Sequence, residues 1–361
     1  MGHFWRGADF SPPARGAVYS AQRQIQRRKV LRMGYPRWVE NIVDVCMAIQ
    51  PGEKVLLITD EPMDIMRKLL VERIAQIGVG ELWSYTLPDA IRPLPHYPAA
   101  LYDLAGAVDV VLIFEHRRNP EIETPRALEM VEAVERGNAR FASGPMINPS
   151  ILEHELSADY HEIAALTNGL WDALQGRSYV RVTTELGTDL QMDISGREVM
   201  RDTGLFHRPR EQGNLPAGEC YVAPIEDRTN GVFVVDKSYP NILIHEPIRL
   251  TVERGRVVKI EGGREAEQLS AIIRDNEHKP YGEGCRVVCE LGIGTNPNAR
   301  LQGNVLTDEK VMGTVHIAIG HNALASYGGQ NRAPIHLDGV IGDPTLIVDG
   351  ETLIQDGIYR G

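Results

Sequence analysis

The sequence predicts an α/β amino-terminal domain with a mostly parallel sheet, followed by an α+β, strand-rich domain. Two observations lead there. Between about residues 36 and 170, apolar runs of strand length alternate with helix-spaced stretches, which is the pattern of a parallel sheet covered by helices. After that the alternation stops, and short strand-like runs separated by glycine and proline take over. A length of 361 residues suggests two domains more readily than one.

In chain order, residues 1–35 carry a basic run, "QRQIQRRKVLR", which reads as an interaction arm or as a solvated terminus. In the domain expected over 36–176, "EKVLLITD" is a buried strand, and Ile65, Leu69, Leu70, Ile74 and Ile77 then recur at helical spacing. "ELWSYTL" and "VDVVLIFE" are further strands, "TPRALEMVEAVERG" a helix, "ARFASGP" a strand and "HEIAALTNGLWDALQG" a last helix. No G-x-G-x-x-G follows the first strand, so a dinucleotide site is not supported. Over 177–361, "SYVRVTTELGTDLQMDISG" reads as a hairpin turning at Gly187, and one clear helix, "REAEQLSAIIRD", interrupts the strands.

Composition narrows the function. A hydrophobic content of 43% with 24% charged residues is ordinary for a globular protein. The net charge of −11 argues against nucleic acid or an anionic membrane as partner. Four scattered cysteines make no disulfide framework, and the start lacks the apolar core of a signal peptide, so a cytoplasmic location is expected. Cys285 and Cys289 lack a second pair and read as buried thiols.

The chemistry concentrates in the second half. In "APIHLDG", His336 and Asp338 stand two apart, so on a strand they share a face. Glu219, Glu290, Glu309 and His316 likewise lie in or beside apolar runs, where charge is costly unless paired or bound. Singly, each fits a hydrogen-bonded core residue, a loop cap or, for Glu309, a pair with Lys310 at the surface. Together they suggest a carboxylate-rich metal site for zinc, cobalt, manganese or iron(II). His321 and Tyr327, in "HNALASYGGQN", are close enough in sequence to reach it, and Gly328 and Gly329 would free the loop between them and the ligand strand. His116, Arg117 and Arg118 face either a crevice at the strand ends or solvent.

"GNLPAGE", "ELGIGTNP", "DEKVMGTVHIAIG" and "HLDG", in that order, resemble the M29 metallo-aminopeptidases of the leucyl aminopeptidase T group, as does "IQPGEKVLLI" early in the chain. The resemblance covers most of residues 36–350. It implies a homodimer with two divalent ions per subunit, zinc, cobalt or manganese, held by Glu219, Glu290, Glu309, His316, His336 and Asp338. Glu290 would also be the general base. The family's catalytic tyrosine falls near Ala323, leaving Tyr327 as its substitute. The fold is also similar to that of the 2,5-dihydroxypyridine 5,6-dioxygenases, whose single iron(II) would correspond to a site at His316, His336 and Asp338. The expectation is an aminopeptidase-type hydrolase of short peptides or a related small amide. The alternatives are a ring-cleaving dioxygenase of a hydroxylated pyridine or similar aromatic, and a metal-stabilised binding protein.

Overall fold

Lys54–Asp60 is buried at every position but its first, as a strand covered on both faces must be. In the computed structural model, which describes residues 34–360 except 241 and 325, it runs parallel to Glu81–Leu87 on one side and Val110–Phe114 on the other. The expected amino-terminal arm lies almost wholly outside the described residues. Arg140–Gly144 continues the parallel sheet, and Gln212–Asn214 adds a fifth strand from beyond Gly176.

Side chains alternate between the faces of this sheet. Val55, Leu57, Val110 and Leu112 pack on Met66, Leu70 and Ile74 of the helix Asp64–Ile77. Leu56, Ile58, Val111 and Ile113 pack on Met130, Ala133 and Val134 of the helix Pro120–Arg136. The first helix is turned from its expected stripe: Met66 is buried and Ile65 is 76% exposed.

The second half forms two antiparallel sheets of eight and seven strands. The eight-stranded sheet includes the hairpin Tyr179–Thr183 and Asp189–Asp193, which does turn at Gly187, and the strands Ile248–Glu253 and Arg256–Glu261. Val180, Val182, Leu190, Phe233 and Leu250 of this sheet share one apolar core with Val222, Leu291, Ile293, Ile317 and Ile319 of the seven-stranded sheet. The expected helix is Arg264–Glu277, packed on that core through Ala266, Leu269 and Ile273. No helix among the described residues is long and apolar enough to cross a membrane.

At the carboxyl ends of the first two central strands lies a buried ion network. Arg92 donates from Nη1 to Asp60 Oδ2 at 2.7 Å and from Nη2 to Glu123 Oε2 at 2.9 Å. Arg126 donates from Nη2 to Glu115 Oε1 at 2.5 Å and also pairs with Glu123. Burial works against the Glu123 carboxylate, yet donors from Arg92, two backbone amides and Arg126 hold it at about 2. Of the three basic residues expected to face a crevice or solvent, His116 pairs with Asp60 and Arg118 with Glu115 in this network, while Arg117 stays exposed and pairs with Asp89.

Removing one partner of a buried pair leaves an uncompensated charge. Arg126→Met is therefore expected to cost about 3–5 kcal/mol in urea unfolding near neutral pH. Arg117→Ala, at an exposed pair, should stay within about 1 kcal/mol. Glu123 is depressed in the fold, so its stabilisation is complete above about pH 4.3 and fades as pH falls towards about 2. The Arg126→Met deficit should shrink over that window.

Candidate metal centre

Four neighbouring strands of the seven-stranded sheet build the site through their register. Gly292 stands opposite both His316 and Tyr221, Gly294 opposite Glu219, and Glu290 opposite Ala318. Ala318 and Gly320 in turn stand opposite Asp338 and His336. Directly opposed residues and those two apart share a face. Glu219, Tyr221, Glu290, His316, His336 and Asp338 therefore all rise from one side of the sheet. Leu291, Ile293, Ile317 and Ile319 fill the other side as core. Glycine along these strands lets neighbouring groups come close: a Cβ at 294 would meet Val311 O at 2.2 Å, and one at 320 would meet Ile335 O at 2.1 Å. Gly292 has no alternative: a Cβ there would meet His316 Nε2 at 1.9 Å.

Glu309 arrives from outside the sheet, just after the short helix Val305–Asp308, whose first turn is capped by the Asn304 side chain. The backbone around it is pinned by Asn296, whose amide donates to Lys310 O at 2.8 Å and whose carbonyl accepts from Met312 N at 3.2 Å. Lys310 is fully buried, contrary to the surface pair allowed for in the sequence. Its Nζ lies 2.5 Å from Glu219 Oε1 and 2.8 Å from Glu309 Oε1.

The six expected residues fall into two groups. Glu219, Glu309 and His316 form one, and Glu290, His336 and Asp338 the other, with the nearest ligand atoms of each group all within 4.8 Å of one another. Glu290 joins the groups: Oε1 is 3.3 Å from His316 Nε2, and Oε2 is 3.6 Å from His336 Nε2. His336 Nδ1 donates to His321 O at 2.7 Å, and its Nε2 faces Asp338 Oδ1 at 3.3 Å. Cys289, buried as expected, has Sγ 3.7 Å from His336 Nδ1. Tyr327 reaches the site with its ring stacked on the His336 imidazole, the centroids 4.8 Å apart.

The electrostatics suit a cation. Glu219 Oε2, Glu290 Oε2 and Asp338 Oδ1 are buried with no hydrogen-bond donor. Such acceptors cost about 1–3 kcal/mol each, and more when charged, unless something positive satisfies them. Burial pushes the Glu219 carboxyl up to about 8 against the pull of Lys310. For His316, burial disfavours the charged ring, but the Glu290 hydrogen bond and the fields of Glu219 and Asp338 outweigh it, raising it to about 9. Protons thus collect where a dication would displace them. Mixed carboxylate and imidazole donors match zinc, manganese, cobalt or iron(II).

Tyr221, the contact of Lys310 with Glu219 and the glycine–alanine faces escaped the sequence reading. The faces left a trace, small residues two and four beyond Glu290 and two and four beyond His316, which the strand period places on the same face as those side chains. Gly329 does not loosen its loop as expected, because it abuts Asn322 so closely that a Cβ would meet Asn322 Cγ at 2.1 Å. His207 is tied to Val45 O at 2.8 Å through Nε2.

Residues 148–360 match the family model described as NicX: 2,5-dihydroxypyridine 5,6-dioxygenase. The 2,5-dihydroxypyridine 5,6-dioxygenase of Pseudomonas putida is 25% identical over 201 residues, 51% of this chain and 54% of that protein. Aminopeptidase AmpS of Bacillus subtilis is 28% identical over 200 residues, 50% of this chain and 48% of that protein. The chain thus spans about half the length of the curated relatives it matches. Among solved structures, the dioxygenase from Pseudomonas putida KT2440 superposes with a TM-score of 0.71 at 17% identity, covering 90% of this chain and 96% of that one. Wild-type AmpT from Thermus thermophilus superposes with a TM-score of 0.70 at 17% identity, covering 90% and 98%. The fold is shared with both enzyme types.

Gly292→Ala is expected to drive the His316 ring from its place. Calorimetric titration with Co(II) should then show binding weaker by about 10–100-fold, with the circular dichroism spectrum unchanged. Unaltered Co(II) affinity would mean that His316 is not among the groups that bind it.

Proposed function

The chain belongs to the 2,5-dihydroxypyridine 5,6-dioxygenase (NicX) family, and for its site we propose an aminopeptidase-type hydrolase that holds two divalent cations and cleaves short peptides or a related small amide. The observation that carries this reading is the position of Glu290, which turns one oxygen towards each ligand group. A carboxylate shared between two groups of three donors suits a pair of ions better than a single one. Charge alone does not choose. With the Lys310 ammonium inside, the four carboxylates present three net negative charges, which one dication or two bring equally close to neutrality.

Glu219, Glu309 and His316 would hold one ion, and His336 and Asp338 the other, with Glu290 between them. When bound, such ions acidify water and polarise a carbonyl. Glu290 would accept the proton of the attacking water and return it to the departing amine. Lys310 keeps Glu219 and Glu309 together, where their charges alone would drive them apart. Tyr327 and Tyr221, their rings edge to face at 6.4 Å, supply an aromatic wall beside His336.

A second reading, ring cleavage by one iron(II) at His316, His336 and Asp338, is favoured by the family match and by Ala323 standing near the place of the peptidase tyrosine. Elemental analysis of protein purified without chelators or oxygen separates the two. The hydrolase reading expects close to two zinc, cobalt or manganese ions per chain, and oxygen-independent release of amino-terminal residues. Glu290→Gln should lower kcat by about 10²–10⁴-fold. One iron per chain, with oxygen consumed on a hydroxylated pyridine and peptides left intact, would overturn it.

A further inference from the structure

The loop from His321 to Ile335 connects two strands that carry proposed ligands, and it is held shut at several points. Asn322 and Asn331 pair across it, the amide of each donating to the other residue at 2.9 and 2.8 Å, and Asn322 Nδ2 donates to Cys289 O at 2.9 Å. Outside the loop, Arg197 Nη1 donates to Gly328 O at 3.0 Å, and Glu226 Oε1 accepts from Gln330 N at 2.8 Å. Arg197 and Glu226 are themselves an ion pair, so one clamp grips both sides of Gly329. The Tyr221 hydroxyl donates to Ser326 O at 3.0 Å, next to Tyr327. Tyr327 is therefore delivered to a fixed place.

In that place its ring lies over the imidazole of His336, 25° from parallel, with Tyr221 packed edge-on against its own ring. The polar contacts of His336 are all made at the ring edge, Nδ1 to His321 O at 2.7 Å and near Cys289 Sγ at 3.7 Å, Nε2 to Asp338 Oδ1 at 3.3 Å and Glu290 Oε2 at 3.6 Å, and none of them covers a ring face. A flat partner stacked on the face restrains the ring against tilting out of those contacts. From this geometry we propose that Tyr327 is a positioning residue which acts through its ring, holding Nε2 of His336 aimed at the metal, and that its hydroxyl is not what the site uses. The role rests on His336 being a metal ligand, but not on which reaction the metal serves. It assigns Tyr327 a different task from the catalytic tyrosine it was expected to replace.

Two readouts on the full chain test this: Co(II) titration followed by its visible d–d absorption, and the ¹⁵N resonances of the His336 ring in metal-free protein. Tyr327→Phe should match the wild type in both. Tyr327→Ala should weaken Co(II) binding by about tenfold or more, alter the absorption bands and shift the His336 resonances. Tyr327→Leu, which keeps the volume without the flat ring, should behave like the alanine variant and stands in for it if that variant fails to fold. A phenylalanine variant as impaired as the alanine one would assign the role to the hydroxyl and overturn the proposal. So would an alanine variant indistinguishable from wild type. If wild-type protein takes up no Co(II), the metal reading falls by itself, and the ring resonances still decide whether Tyr327 orients His336.

Discussion

Four carboxylates share one buried space in this protein, and their mutual repulsion is the constraint around which the second half is arranged. Glu219, Glu290 and Asp338 are all less than 10% exposed, so water cannot screen them, and Glu309 closes the space from above. Positive charge has to be brought in. Lys310 supplies one unit, permanently, by bridging Glu219 and Glu309. The two imidazoles supply more only by keeping protons that free histidines would lose near neutrality. The buried oxygens that still lack a donor mark the balance that a bound cation would complete.

The scaffold tolerates this concentration because it separates the tasks of one sheet by face. The apolar face is welded to the eight-stranded sheet through a continuous core, so the strands cannot slip in register without exposing that core. The polar face inherits that fixed register. The loop that brings Glu309 is anchored to the first half as well: Glu155 Oε1 accepts from Arg300 N at 3.1 Å and Gln302 Nε2 at 2.9 Å, and Asn304 donates to Met146 O at 3.0 Å. The parallel-sheet half thus has two separate electrostatic duties. One is internal, the Asp60–Arg92–Glu123–Arg126–Glu115 network at its strand ends, and the other is to hold the edge of the candidate metal centre.

A shared fold with both a dioxygenase and an aminopeptidase says little about which reaction runs here, since function resides in the site. This chain carries six ligand-type residues, Ala323 near the expected place of the peptidase tyrosine, and Tyr327 four residues on with its ring stacked on His336.

Much of this was written in local sequence. Strand and helix positions follow from periodicity, because covered parallel strands are continuous apolar runs and antiparallel ones alternate. His336 and Asp338 share a face for the same reason: a strand's period of two makes i and i+2 neighbours wherever the strand goes. The six ligand-type residues were recognisable as polar groups stranded in apolar text. Other features depend on which strands become neighbours. The partition of the six into two groups, the place of Glu290 between them and the need for glycine at 292 come from the register between strands joined by long loops. The same holds for Lys310, which reads as an ordinary surface cation beside Glu309 until the fold carries Glu219 to its ammonium. His116, Arg117 and Arg118 read as free basic residues until Asp60, Asp89 and Glu115 meet them. Sequence specifies the chemical types and local faces through short-range geometry, whereas pairing between distant charges is decided only by the packing that brings them within a few ångströms.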